Sequence, residues 1–444
     1  MRKRFLGLLY GTIMVSFVLS GCGNKNETEQ AGKVYFLNFK PEVQNQWKEI
    51  AEVYKKETGV EVKVQTAASG TYEEVLKSEI AKSDAVTMFQ INGPIGYNNW
   101  KDYCMDLSDT KAYQSLTDKG MAVVGDNGGV YGIPYAIETY GIIYNNAIMD
   151  KYFALEGAVR SSMDEIDSFE DLKAVAEDMQ EHKEELGIKG VFASTSLASG
   201  EDWRWQTHLA NIPIFYELQD KKVTDTKDLQ FTYAGNMKNI FDLYMNCSVT
   251  APGLLGDKSV SDSMAEFALG QAAMVQNGNW AWGQISDVPG NTVKEENVKF
   301  LPIYMGIKGE ENQGLCTGTE NFWCINSQAS EADRKASVDF MDWLVTSDTG
   351  KDFMVNKLGN SAPFTTFTEE EKPTDPLAKE MFRYMDSGKS NINWAFTVFP
   401  SQQFKNDFGA ALLEYCSGNM TWDEVQALVI SRWAEEKALT AAQE

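Results

Sequence analysis

Apolar positions early in the chain switch between the period of a strand and that of a helix. Residues 33–39 form an apolar run that is typical of a buried parallel strand, and the stretches at 60–64 and 85–89 predict two further strands. Between them, apolar residues recur at helical spacing after Pro41 and again over 72–80. Such a β-α-β-α-β order requires right-handed crossovers and a mostly parallel sheet. The sequence therefore predicts an α/β fold.

The rest of the chain continues to mix the two periods. A long apolar stretch at 128–146 predicts two extended pieces separated by a polar kink at Glu138–Thr139, where the chain passes from one lobe to another. Helical spacing predicts helices at 168–181, 203–209, 233–246, 261–269, 329–346 and 422–437. Short apolar runs predict strands at 190–193, 272–276, 298–302 and 322–325.

Polar side chains follow the first and third predicted strands. Asn38 and Lys40 lie at the end of the first strand, and Asn92 lies just beyond the third. Ligands of open α/β sheets bind outside the carboxyl ends of the strands. We therefore expect these three side chains to contribute to a binding site.

Size and composition narrow the classes of protein. A single hydrophobic core stops growing at roughly 250–300 residues, so a chain of 444 residues should form at least two lobes. The formal charge of -24 and the lack of a basic run beyond residues 2–4 argue against a nucleic-acid partner. The only histidines, His182 and His208, cannot build a histidine-rich metal site, and no nucleotide-binding or nucleophile-elbow motif occurs. No metal and no cofactor are expected.

The N-terminus has the pattern of a bacterial export signal. Three basic residues precede an apolar stretch at 5–19, which is shorter than the ~20 residues of a permanent membrane helix. The sequence LSGC at 19–22 resembles the lipobox, in which the cysteine thiol takes a diacylglycerol. We therefore expect a lipoprotein signal peptide at 1–21, lipidation of Cys22 and a flexible tether at 22–32. A plain secretory signal with a chance cysteine is the alternative.

The five cysteines after the lipobox leave at least one thiol without an intramolecular partner. Cys316 and Cys324 are close enough in sequence to form a disulfide. Buried free thiols are the alternative, since a chain of this length does not depend on disulfides for stability.

Four motifs occur in a fixed order along the chain. They are the lipobox, GIP at 132–134 with GIIYN at 141–145, FALGQAAM at 267–274 with GNW at 278–280, and the segment 336–345 before Gly350. This order resembles that of the extracellular solute-binding proteins of carbohydrate ABC importers, the group that includes the maltodextrin-binding proteins. The resemblance covers essentially the whole chain after the signal peptide. It implies a two-lobed fold of the periplasmic-binding-protein type II kind, with the ligand in a cleft between the lobes and no catalytic residue.

The resemblance also implies a sugar site, which needs flat aromatic platforms for the apolar face of a pyranose and polar side chains for its hydroxyls. The candidate platforms are Trp205, Trp280 and Trp323, with Tyr140 and Trp394 behind them. The candidate hydrogen-bonding residues are Asn38, Lys40, Asn92, Glu138, Glu320 and Asn321. Only Trp280 and the region of Glu138 match the family by motif. Core packing is the alternative for each tryptophan, and a solvated loop position is the alternative for each glutamate.

The expected lobes are each formed by separate parts of the chain. Lobe 1 is expected to comprise 33–137 and 302–346, and lobe 2 to comprise 138–301 and 376–444, with a crossover at 347–375. A sugar that touches both lobes would favour the closed state of such a hinged pair. We expect a monomer, held by its lipid on the extracytoplasmic face of the cell membrane, that delivers sugar to the transmembrane subunits of an ABC permease.

Two other functions remain open at this point. A secreted glycoside hydrolase also combines tryptophan platforms with paired carboxylates. A sensory or adhesive sugar-binding lipoprotein would share the fold and differ only in its partner. Among sugars, maltooligosaccharide is the first choice because residues 36–42 and 92–94 look most like that part of the family, while xylan- and mannan-derived oligosaccharides are alternatives.

Overall fold

The computed structural model describes residues 32–68 and 70–441. The predicted signal peptide at 1–21, the predicted lipidation site Cys22 and nearly all of the predicted tether lie outside the described residues. Within the described ranges, no helix has both the length and the apolar composition that a membrane span requires.

The described chain mixes strands and helices throughout, as the sequence predicts. The strands are β1 Val34–Asn38, β2 Val62–Thr66, β3 Met88–Ile91, β4 Val123–Val124, β5 Val130–Gly132, β6 Glu138–Asn145, β7 Gly190–Phe192, β8 Ala272–Gly278, β9 Val298–Leu301, β10 Gln313–Gly318, β11 Phe322–Ile325 and β12 Ser390–Asn393. The helices are α1 Gln44–Thr58, α2 Tyr72–Ile80, α3 Gly93–Trp100, α4 Lys111–Gln114, α5 Asn146–Phe153, α6 Phe169–Glu181, α7 Lys183–Leu186, α8 Ala210–Lys221, α9 Ala234–Asn246, α10 Val260–Ala268, α11 Trp282–Ser286, α12 Glu331–Thr346, α13 Asp348–Asp352, α14 Pro376–Met385, α15 Gln402–Cys416 and α16 Trp422–Ala441. The π-helical segments are Arg204–Leu209 and Phe353–Lys357.

The first sheet confirms the predicted start of the chain. Its strand order is β11-β3-β1-β2, and β1 pairs in parallel with both β2 and β3. Every residue of β1 is buried, as expected for a strand covered on both faces. The helix α1 covers this sheet with the apolar stripe that its spacing predicts, which comprises Trp47, Ile50, Ala51 and Tyr54. The edge strand β11 pairs antiparallel with β3.

The second sheet has the order β12-β10-β6-β8-β7, and β9 also pairs with β6. The prediction of a kink at Glu138–Thr139 is wrong, because these two residues begin the buried central strand β6. Their backbone pairs with β10, where Thr139 lies opposite Thr317. The Thr139 hydroxyl lies 3.0 Å from that of Thr317, and its amide donates to Oδ1 of Asn279 at 2.9 Å. These partners allow a polar pair inside a buried strand.

Two groups of hydrophobic clusters define the two lobes, one around each sheet. Residues 302–318, which the predicted boundaries place in lobe 1, pack differently. Ile303 and Cys316 belong to the core beside the second sheet, and β10 pairs with β6. The chain therefore returns to the first lobe after Gly318 and not near 301. Phe353 and Phe364, from the predicted crossover, lie in the core of the first lobe.

All five described cysteines are free thiols. Cys316 and Cys324 do not form the disulfide that their spacing allows, because they belong to the cores of different lobes. Burial raises the pKa of the Cys316 thiol to about 12, as expected for an inert structural cysteine.

Candidate functional site

A cleft of about 840 Å³ lies between the two lobes. The first lobe lines it with Pro41–Val43, the turn that precedes α1, and with residues 355–359. The second lobe contributes Trp203, Arg204 and residues 279–284, which follow the carboxyl end of β8. The two walls come from different lobes, as in the predicted interlobe site.

Three half-buried tryptophans lie along the wall of the second lobe: Trp203, Trp280 and Trp282. The ring centroids of Trp203 and Trp280 are 6.1 Å apart, and their planes are inclined by 43°. Gly278 makes room for this arrangement, because a Cβ atom there would lie 2.2 Å from the Trp280 ring. Of these three residues the sequence singles out only Trp280; the WRW and WAW patterns are the signal that would have found the other two.

Two predicted platforms are wrong, because Trp205 and Trp323 are core residues. Trp205 is only 1% exposed, and its indole N–H donates to the carbonyls of Thr195 and Ser196. Trp323 is fully buried and stacks on Tyr135 with a centroid distance of 4.8 Å. Neither ring presents a face to the cleft.

Tyr140 supports the site from beneath and does not line the cleft. Its ring stacks on His208 at 4.1 Å, and its hydroxyl donates to the His208 carbonyl at 3.0 Å. This hydrogen bond ties the π-helical segment Arg204–Leu209 to the strand β6. Trp394 is also buried and does not line the cleft; its ring lies 5.9 Å from that of Tyr140.

Three predicted residues meet in a small extension of the cleft. Lys40 from the end of β1 forms a buried ion pair with Glu138, the first residue of β6, and its ammonium lies 5.5 Å from the Trp280 ring centroid. Burial opposes the charge of the Lys40 ammonium, but the Glu138 carboxylate together with Tyr135 and Glu42 outweighs it, and the pKa of Lys40 is raised. The pair joins the two lobes next to the aromatic wall.

The remaining predicted polar residues differ in whether their side chains already have hydrogen-bond partners within the protein. The Asn38 amide is occupied, because it donates to the Lys40 carbonyl and to the Thr66 hydroxyl. Asn92 retains a buried Oδ1 without a hydrogen-bond partner among the described residues. Glu320 lies in the crossover between β10 and β11, where burial and the Glu138 charge raise its pKa to about 7. Its neighbour Asn321 has a left-handed backbone, with φ of 59°, at the tight turn into β11.

Arg204 is a functional candidate that the sequence does not single out. Its side chain is 1% exposed, lines the cleft and lies over the Trp203 ring at 3.8 Å. Burial lowers the pKa of the guanidinium to about 9, which leaves it charged at neutral pH. A single arginine in a helical pattern carries no sequence signal of burial.

A comparison with family models matches residues 49–380 to the bacterial extracellular solute-binding proteins. The chain belongs to this family. Its members act outside the cytoplasm by binding a solute.

Solved structures share the two-lobed fold along almost the full length of this member. A chitin oligosaccharide binding protein is 19% identical, with a TM-score of 0.72 over 92% of this chain and 99% of the other. The solute-binding protein RafE in complex with raffinose is 18% identical, with a TM-score of 0.69 over 91% and 99%. The GacH receptor of Streptomyces glaucescens, solved unliganded and with acarbose, is 17% identical, with a TM-score of 0.66 over 92% and 99%.

Proposed function

We propose that this solute-binding protein binds an oligosaccharide between its lobes and delivers it to the transmembrane subunits of an ABC permease. The observation that carries the proposal is the wall formed by Trp203, Trp280 and Trp282 in the cleft. Flat, half-exposed rings match the apolar face of a pyranose, and the polar side chains of the opposite wall match its hydroxyls.

The size of the cleft supports a ligand longer than one sugar. Its 840 Å³ lies in the upper part of the range of roughly 300–1,000 Å³ found for small-molecule sites. Solved structures of the same fold contain raffinose and acarbose, both longer than a monosaccharide. Maltooligosaccharide is our first choice of ligand, and xylan- and mannan-derived chains are the alternatives.

The position of the cleft supports the proposed delivery to a permease. An oligosaccharide that touches the turn at Pro41–Val43 and the tryptophan wall interacts with both lobes, so it binds the closed state more tightly than the open one. A permease that recognises the closed form would then receive only loaded protein. We further propose that the protein acts as a monomer, attached to the cell membrane through lipid on Cys22.

The test is a thermal-shift screen of the soluble protein, beginning after Cys22, against maltose-, xylose-, mannose- and chitin-based oligosaccharides. A ligand at 100 times its Kd stabilises the folded state by about 2.7 kcal/mol, or roughly 3 °C in Tm for a chain of this length. No shift with any glycan, together with a shift from a peptide, would refute the proposal. Chromatography of the recovered sugar should show unshortened chains, which distinguishes binding from hydrolysis.

A pair of tryptophan variants locates the site. Trp280→Ala should abolish the sugar-induced shift, because it removes the platform beside Lys40. Trp343→Ala is the matched control, since this half-buried tryptophan packs on Tyr54 in the first lobe, away from the cleft. It should lower the Tm of the free protein and keep the sugar-induced shift. If Trp280→Ala and Trp343→Ala kept or lost the sugar-induced shift in Tm to the same extent, the assignment of the cleft as the sugar site would be wrong.

A further inference from the structure

The Arg204 side chain is buried in the cleft wall with unused donors. Neither Nε nor Nη1 has a hydrogen-bond partner within the described part of the chain. Buried polar groups are almost always hydrogen-bonded, and a charged donor without an acceptor is especially unfavourable. An arginine held in this state at a binding cleft therefore indicates acceptors that arrive with the ligand.

The backbone under Arg204 is held by the second sheet. Arg204 begins the π-helical segment Arg204–Leu209, and its own carbonyl accepts a hydrogen bond from Nε2 of Gln276 on β8 at 2.7 Å. Four residues later, the hydroxyl of Tyr140 on β6 binds the carbonyl of His208. The guanidinium also lies over the Trp203 ring, with Cζ 3.8 Å from the ring centroid, which restrains its position. Arg204 is therefore positioned before any ligand binds.

The electrostatic surroundings show what kind of acceptor is missing. The nearest opposing charges are Glu42 and Glu201, which favour the charged form of Arg204. The lining of the cleft as a whole carries five carboxylates and two cations, namely Glu42, Glu201, Asp287, Glu295, Asp375, Arg204 and Lys357. Negative charge is therefore already in excess, whereas hydrogen-bond acceptors within reach of Nε and Nη1 are absent among the described residues.

We propose that Arg204 determines specificity by donating from Nε and Nη1 to two hydroxyl oxygens of a neutral oligosaccharide, and that the acidic lining disfavours sugars that carry a carboxylate. The assignment rests on the proposed function, since it names the class of oligosaccharide that this cleft accepts. Nε and Nη1 donate in different directions, so they need two separate acceptors, and sugar hydroxyls supply these without adding negative charge.

Calorimetric titration tests the assignment with the best oligosaccharide of the screen and with the same chain bearing one primary hydroxyl oxidised to a carboxylate. The wild-type protein should bind the neutral chain at least about tenfold more tightly, because like charges in the lining repel the oxidised one. Arg204→Gln should weaken binding of the neutral chain by about 10- to 100-fold, the loss expected for two hydrogen bonds from a charged donor. The affinity of Arg204→Lys should fall between those of the wild type and Arg204→Gln, because an ammonium keeps the charge but cannot place donors at both the Nε and the Nη1 positions.

Two further readouts separate recognition from folding. The Tm of free Arg204→Gln should equal or exceed that of the wild type, because the variant removes a buried charge without a partner. Arg432→Gln, the same change at a guanidinium already paired with Asp407 and Glu436, should leave sugar affinity unchanged.

The possible outcomes are distinct. Unchanged affinity of Arg204→Gln for the neutral sugar would overturn the role of Arg204 while leaving the proposed function intact. Tighter binding of the oxidised chain would overturn the neutral class and indicate that Arg204 pairs with a ligand carboxylate. Absence of binding to every oligosaccharide in the wild type would refute the proposed function, and this assignment with it.

Discussion

The ionisation of Glu320 offers a direct test of how the region between the lobes is packed. This glutamate follows β10 at the return to the first lobe, where burial raises its pKa to about 7. The nearby Glu138 charge acts in the same direction, while Lys40 and Lys405 oppose it. A carboxyl group with this pKa is half protonated near neutral pH, unlike the ordinary glutamate of the unfolded chain at about 4.3.

The sign of the effect follows from proton linkage. Between pH 4.3 and 7 the folded state holds the Glu320 proton more tightly than the unfolded state, so the free energy of unfolding falls as the pH rises through this window. The contribution is fully present below about pH 4 and is lost above about pH 7. A difference of nearly three pH units corresponds to about 3–4 kcal/mol. Because the side chain keeps some exposure to solvent, we expect about 2–3 kcal/mol.

Urea unfolding of the wild type and of Glu320→Gln at pH 5, 6, 7 and 8 measures the effect. Glutamine does not titrate, so subtracting the two curves removes other groups, such as Asp202, whose pKa burial raises to about 6. The wild type should lose stability relative to Glu320→Gln as the pH rises from 5 to 8. Glu331→Gln, at an exposed glutamate of α12, is the control. A difference between wild type and Glu320→Gln that stays constant over this range would refute the reasoning.

Three further substitutions test the placement of individual side chains. Trp205→Phe should lower the free energy of unfolding by about 1–3 kcal/mol in urea titrations, since it removes a buried indole N–H and volume, while sugar affinity stays unchanged. Gly278→Ala should weaken sugar binding in calorimetry more than it lowers Tm, because the new Cβ displaces the Trp280 ring. Lys40→Met should cost about 3–5 kcal/mol in urea titrations by leaving Glu138 buried and unpaired, and adding Glu138→Gln should recover part of that loss.

The first sheet could be predicted because its signals are local. Each of β1, β2 and β3 is followed or preceded by a helix whose apolar stripe is visible within about 15 residues. The strand β10 has no such signal, since its sequence QGLCTG is short and rich in glycine. It becomes a strand because β6 lies beside it, more than 170 residues earlier in the chain. The prediction that the chain returns to the first lobe near residue 301 is wrong for the same reason, because residues 313–318 carry no local sign that they pair with β6.

In the candidate site, too, the residues that could be predicted are those with a local signal in the sequence. Trp280 could be predicted because it directly follows a strand, and strand ends define the ligand side of the sheet. The sequence does not show which of Trp203 and Trp205 faces the cleft, because both lie in one helical segment two residues apart. The choice depends on the π-helical segment Arg204–Leu209, in which the His208 carbonyl accepts a hydrogen bond from Tyr140 on the distant strand β6. Burial of Arg204 between the two tryptophans follows from the same geometry.

The two walls of the cleft differ in how firmly they are held, and this sets an expected order of binding. The wall of the second lobe is tied to β6 and β8 through Tyr140 and Gln276, so its donors and rings lose little conformational freedom on binding. The wall of the first lobe consists of the turn at Pro41–Val43 and of residues 355–359, which belong to neither sheet. We therefore expect the proposed sugar ligand to make its first contacts on the second lobe. We expect contacts with the first lobe to follow as the lobes close, with the buried Lys40–Glu138 pair across them favouring the closed arrangement.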